Sequence, residues 1–111
     1  MIEVIVQAFL NAHLSVPAFT DRQSTMPEKY VIFEKTGGTK RNHLASATLA
    51  FQSYAGSKYE AALLNEELKS VVEDLLTLDS ISKVKLNSDY DFTDTETKKY
   101  RYQAVFDINH Y

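Results

Sequence analysis

Cysteine is absent from this sequence of 111 residues, and so is tryptophan. Without cysteine the chain has no disulfide framework, no thiolate nucleophile and no cysteine-ligated zinc site. The aromatic residues that are present, seven tyrosines and six phenylalanines, are of the types that β-strands and protein interfaces favour. The composition therefore excludes thiol chemistry and indicates strands and contact surfaces.

The sequence also lacks a long hydrophobic run and an excess of positive charge. No segment approaches the roughly 18 apolar residues of a membrane span, and Glu3, Gln7 and Asn11 interrupt the N-terminal apolar stretch. Because no basic region precedes that stretch, we predict no signal peptide and no membrane partner. The net charge of −3 gives no general attraction to DNA.

The rest of the composition is ordinary for a globular protein. Hydrophobic residues make up 44% of the chain and charged residues 24%, which argues against disorder. The length is that of one domain with one modest core. We therefore predict a single α+β domain over residues 1–111.

The segment Ser57–Asp79 has the strongest pattern in the chain. Ser57 and Glu60 have the spacing of a capping box, which marks the start of a helix. Neither glycine nor proline interrupts the segment, and one of its sides is polar. We predict a long helix whose apolar side faces the core. That side consists of Leu64, Leu68, Val71, Leu75 and Leu78.

Hydrophobic periodicity predicts one further helix, Met1–Leu14, and several strands. Thr36–Thr39, continued by a basic loop Lys40–His43, and Asp94–Lys99 are predicted turns, and short turns favour antiparallel pairing. The predicted fold is an α+β two-layer sandwich with a mainly antiparallel sheet of about four to five strands. The short N-terminal helix and the long central helix cover one face, in the order α-β-β-β-α-β-β. The predicted strands are Val16–Asp21, Lys29–Thr36, Leu44–Tyr54, Ile81–Thr93 with a bulge near Ser88, and Tyr100–Tyr111.

No pattern of catalytic or metal-ligating residues stands out. The acidic cluster Asn87, Asp89, Asp91 and Asp94 lacks the glycine and glutamate positions of a calcium loop. The histidines have no metal-ligand spacing, and the Gly-Gly-Thr-Lys run lacks the spacing of a phosphate-binding loop. We predict no catalytic, metal-binding or cofactor-binding residue. The alternative that stays open is a small enzyme using Asp89, Asp91 or His43.

Basic residues gather in two predicted hairpin loops, around residues 35–41 and 98–101. Such clusters are either solvated turns or contacts to an acidic partner or to the backbone of passing DNA. The exposed part of the first helix, the tyrosine-bearing outer face of the sheet and Tyr111 are further candidates for contact. The predicted assembly interface therefore comprises Ile2, Phe9, His13, Lys35, Lys40, Arg41, Lys98, Lys99, Arg101 and Tyr111.

The C-terminal part of the chain resembles a known family. The run LNSDYDFTDT (Leu86–Thr95), followed by KKYRYQAVFDI (Lys98–Ile108), is similar to tail terminator and tail completion proteins of long-tailed bacteriophages. These small proteins are also described as minor capsid or tail-to-head joining proteins. The segments Met1–Pro17 and Pro27–Gly38, the latter ending in EKTGG, also look like that group. The resemblance spans most of the chain and contains no catalytic motif.

The resemblance implies a structural virion protein. Such an α+β subunit forms a ring, commonly a hexamer, that caps the tail tube and joins it to the head. Its partners would be further copies of itself, the major tail tube protein and the head–tail connector or stopper protein, with DNA only passing through the channel. The implied location is the virion, at the tail or the head–tail junction, after assembly in the cytoplasm of the bacterial host, including a host that carries the phage as a prophage. No cofactor is implied.

Three other functions stay open at this stage. One is a head-completion or stopper component of the connector, which is also structural. The second is the small enzyme described above. The third is a nucleic-acid-binding module, in which bases would stack on aromatic side chains of the β-strands. The basic loops would then contact the phosphate backbone of single-stranded nucleic acid. The acidic residues Asp89, Asp91 and Asp107 on predicted outward positions argue against that third function.

Overall fold

The structure is a computed structural model that describes residues 1–41 and 44–111. Its elements follow the predicted order α-β-β-β-α-β-β, which confirms the α+β fold. A short 3-10 helix continues the second α-helix. The elements are α1 (Ile2–His13), β1 (Ala18–Phe19), β2 (Tyr30–Arg41), β3 (Leu44–Ala55), α2 (Lys58–Glu73), the 3-10 helix (Asp74–Thr77), β4 (Ile81–Asp91) and β5 (Tyr100–His110).

The strands form one five-stranded sheet in the order β1-β2-β3-β5-β4. The short β1 pairs parallel with β2, and every other neighbouring pair is antiparallel. Both helices lie against the same face of the sheet, where they share one core with Phe33, Phe51 and Phe106. The other face, here called the outer face, has no layer over it among the described elements. The protein is therefore the two-layer sandwich that the periodicity predicts.

The predicted turn at Thr36–Thr39 is wrong, because β2 continues through it. Gly37 pairs with Thr48 and Gly38 with Ala47, and a bulge lies between Lys35 and Gly37. Neither glycine has a positive φ, so neither uses the conformational freedom that a tight turn would require. Pairing with β3 satisfies the backbone instead. Lys40 and Arg41 are strand residues as well, while the rest of the predicted loop, Asn42 and His43, lies outside the described residues.

The second helix starts and packs as predicted but ends earlier. The Ser57 side chain accepts a hydrogen bond from the backbone N–H of Glu60 at 3.2 Å. The α-helix ends at Glu73, not at the predicted Asp79, and tightens into a 3-10 turn. The tighter turn keeps Leu75 buried while the chain redirects into β4. The predicted apolar side is confirmed: Leu64, Leu68, Val71 and Leu75 are buried, and Leu78 packs against them.

The last two strands match their predicted pattern closely. The register of β4 on β5 shifts between Leu86 and Ser88, which confirms the bulge predicted near Ser88. Ala104, Phe106 and Ile108 are fully buried, as their alternation in the sequence indicates. The connection between the strands carries an isolated antiparallel bridge between Asp94 and Lys99, as expected for a hairpin turn.

Candidate assembly interface

The predicted interface residues lie in three separate parts of the molecule. One end of the sheet, here called the cleft end, is where β2 and β5 stop and β3 and β4 begin; it carries Lys40, Arg41 and Tyr111. The opposite end, the turn end, carries Lys98, Lys99 and Arg101. The α1 residues form the third group, and Lys35 lies partway along β2. The structure therefore brings together only parts of the predicted set.

The α1 group needs a correction. Ile2 is only 3% exposed, because the apolar face of α1 packs against the core, so Ile2 is not an available contact residue. Phe9 is partly buried and packs against His13 with ring centroids 4.2 Å apart and the rings tilted by 42°, while His13 itself is exposed. The hydrophobic residue that α1 does expose is Val4, on the side away from the core.

At the turn end, the side chain of Arg101 is held by contacts within its own chain. Its Nε donates to the carbonyl of Phe92 at 2.7 Å, and its Nη1 donates to the Tyr54 hydroxyl at 2.9 Å. Its guanidinium carbon lies 4.5 Å from the centre of the Phe92 ring and 5.7 Å from that of Tyr54. Cation–π contacts of this kind hold the side chain against the outer face. Lys98 and Lys99 are thus the exposed cations of this cluster.

The middle of the outer face is lined by polar groups that bond across strands. The Thr48 hydroxyl donates to Asp107 at 2.7 Å, and the Asn87 amide donates to the same carboxylate at 3.1 Å. Hydrogen bonds from Asn87 and then Thr48 hold the pKa of Asp107 below its ordinary value. Gln52 donates to Gln103 in the same way, at 3.0 Å. These partners tie β3, β4 and β5 together and leave the carboxylate of Asp107 charged.

At the cleft end, the outer face contains a cleft of about 650 Å³. Two cationic residues, a leucine and the exposed C-terminal tyrosine are among the residues that line it, and the strand register places the side chain of Arg41 on this face. No aspartate or glutamate side chain lines it among residues 1–41 and 44–111. The cleft is therefore basic and partly apolar. The residues that line it are Thr39, Lys40, Arg41, Leu44, Ser46, Asn109 and Tyr111.

The carboxylates considered for catalysis are held in structural contacts between α2 and β4. Asp89 accepts hydrogen bonds from the buried Asn65 amide and from the Lys69 ammonium, each at 2.6 Å. The hydrogen bonds to Asp89 and then Glu66 raise the pKa of Lys69 above its ordinary value. Asp91 accepts from Thr93 at 2.7 Å. His43, the third residue of that alternative, lies outside the described residues.

Replacing Asp89 tests this interpretation of its role. We expect Asp89→Ala to lower the free energy of unfolding by about 2 kcal/mol, because it leaves the buried Asn65 amide without its acceptor. Glu66→Ala is the matched control, since it removes the other, 69% exposed partner of Lys69 and leaves the 16% exposed ammonium in place. We expect the control to change stability by less than about 0.5 kcal/mol. Equal losses in urea denaturation for the two variants would contradict a structural role for Asp89.

Within residues 1–41 and 44–111, no group of three or more histidine, aspartate or glutamate side chains is arranged to hold a metal ion. In the same ranges, no helix is both long and apolar enough to cross a membrane.

Two surface features were not among the predictions from the sequence, and only the first of them has a signal there. Leu76 follows the buried Leu75 directly and is 52% exposed on the 3-10 helix, which its position off the apolar side of the helix would have indicated. The cleft had no such signal, because its walls come from β2, β3 and β5, which are far apart in the chain.

Comparison with known proteins adds no family. No protein-family model matches the chain, and no curated protein is significantly similar to it. The function therefore has to be argued from the sequence pattern and from the surface.

Proposed function

We propose that this protein is a structural subunit of a bacteriophage tail, a tail terminator or tail completion protein that forms a ring on the tail tube. The observation that carries the proposal is the chemical difference between the two sides of its sheet. On one side, β2 is exposed from Glu34 to Arg41 and carries Lys35, Lys40 and Arg41. On the other side, β4 carries Lys83 and Lys85 together with Asp89 and Asp91 and packs against the 3-10 helix that begins at Asp74.

A subunit with two chemically different sides is compatible with assembly into a closed ring. In a cyclic assembly each subunit contacts its neighbours through two unlike patches, so the chain needs different chemistry on opposite sides. Long exposed edge strands are also surfaces that proteins either protect or use for association. The fold is the α+β fold that the resemblance implies for such subunits. The carboxylates Asp89 and Asp91 serve structural contacts, so the proposal gives them no catalytic role.

Size-exclusion chromatography with light scattering tests the proposal. The chain is measured alone over a range of protein and salt concentrations, and then with tail tubes assembled from the major tail tube protein of the same phage genome. We expect a discrete ring, at about six times the 12.6 kDa mass of one chain if the ring is a hexamer, that binds the end of the tube. A chain that stays monomeric in every condition would contradict the proposal. A ring that ignores tail tubes would instead favour a head-completion or stopper component of the connector.

A further inference from the structure

The cleft at the cleft end has unpaired positive charge beside apolar surface. Lys40 and Arg41 are exposed and form no ion pair with any other residue in the described ranges. Arg41 pairs with Leu44 and Lys83 with Asn109, so both project from the outer face, whereas Lys40 pairs with Ala45 and projects from the other face at the same end of the sheet. Leu44 and Tyr111 supply the apolar walls. The chemistry of the cleft thus suits an acidic segment that carries one apolar side chain.

The chain itself displays such a segment. The 3-10 helix exposes Leu76 at its centre, and Glu73, Asp74 and Asp79 surround it in the sequence, all exposed. None of these three carboxylates forms an ion pair within residues 1–41 and 44–111. We call Glu73–Asp79 the acidic knob.

The cleft and the acidic knob lie at the same end of the molecule on different sides. Arg41 pairs with Leu44, Ala45 with His110, and His110 with Ile81, so the end of β2 and the start of β4 are level. The 3-10 helix packs against β4, at the opposite edge of the sheet from β2. A head-to-tail contact between patches at the same height on the subunit can close into a flat ring. A difference in height between the patches would instead produce an open helical filament.

We propose that the acidic knob of one copy docks into the basic cleft of the next copy. This inference rests on the proposed ring-forming function and names the contact that builds the ring. Leu76 fills the space between Leu44 and Tyr111, and Glu73 and Asp74 face Arg41 and Lys83 of the neighbour, with Lys40 at the same end of its sheet. Charge complementarity sets the orientation and the apolar contact adds burial, which is the usual division of roles at an interface.

Charge reversal on each patch tests the contact. Lys40→Glu with Arg41→Glu, and separately Glu73→Lys with Asp74→Lys, should each raise the protein concentration needed for ring assembly by at least about tenfold, because like charges then meet. The chain carrying all four substitutions should recover assembly, since the pairs are restored with exchanged signs. Lys29→Glu with Lys58→Glu, two exposed positions outside both patches and outside the predicted interface, is the matched control. It changes the net charge as much as the first variant and should leave assembly unchanged.

The substituted positions are exposed, so the variants should fold, which circular dichroism checks. Lysine near the end of α2 is also favourable for the helix dipole. Rings that form equally well in the wild type and both reversed variants would overturn this contact while leaving the proposed function standing. A wild-type chain that never forms rings would overturn both. Loss of assembly without recovery in the four-substitution chain, together with duplex DNA binding that is lost in the Lys40→Glu, Arg41→Glu variant, would overturn the contact in favour of DNA in the cleft.

Discussion

Phe51→Ala is expected to lower the free energy of unfolding by about 4 kcal/mol. Phe51 is fully buried in the middle of β3, between two other core aromatics. Its ring stacks on Phe33 with centroids 5.4 Å apart and meets Phe106 edge-on at 5.9 Å. Truncation removes both aromatic contacts and leaves a cavity that the strands on either side cannot close without shifting.

Urea denaturation followed by far-UV circular dichroism measures this loss. The protein concentration must be low enough that subunits are separate, because self-association stabilises the folded state by mass action. Phe92→Ala is the control, since Phe92 lies on the outer face and is partly exposed. We expect the control to lose about 1 kcal/mol, mainly through its contact with Arg101. A loss at Phe51 no larger than that at Phe92 would mean that the three aromatic rings do not form the centre of the core.

Leu68→Ala is expected to cost about 3 kcal/mol of unfolding free energy, within the range for deletion of a buried leucine. Leu68 is fully buried on the side of α2 that faces the sheet. The substitution keeps helix propensity high, because alanine is the best helix former, so the loss reports packing against the sheet.

Leu63→Ala on the same helix is the matched control for Leu68→Ala. Leu63 is 52% exposed, so its truncation removes little buried surface, and we expect a loss below about 1 kcal/mol. The same denaturation measurement applies to both variants. A loss below about 1 kcal/mol for Leu68→Ala as well would show that the apolar side of α2 faces solvent or an assembly partner, contrary to the core described above.

The long helix and the last strand could be predicted because their signals are local. The capping box at Ser57 and the repeat from Leu64 to Leu75 depend only on spacing along the chain, and both are confirmed. The alternation through Ala104, Phe106 and Ile108 depends on the period of two in a strand. These patterns are sufficient to predict two layers with both helices on one face.

The prediction failed where a local signal competed with pairing to another strand. The pair Gly37 and Gly38 predicts a turn, but both residues pair with β3 instead, and β2 continues to Arg41. Ile2 was a candidate contact residue because the exposed part of an amphipathic helix cannot be told from sequence at its first turn; the packing of α1 places it in the core. In both cases a long-range contact decided the outcome.

The candidate contact surfaces, too, could be predicted only in part from the sequence. The sequence shows basic residues near 35–41 and a polar side on the long helix, but it does not show that β5 lies between β3 and β4. That strand order places Tyr111 and Asn109 beside Lys40 and Arg41, which creates the cleft. It also sets the acidic knob on the opposite edge at the same level.

Most helical and extended segments, and their apolar faces, can be predicted from the chain alone, because hydrophobic periodicity is a property of neighbouring residues. How far β2 extends, which residues of α1 are buried, and which charges share one end of the molecule depend on the folded arrangement. Those outcomes depend on hydrogen bonds and packing between residues far apart in the chain. Such contacts form only once the whole sheet is assembled.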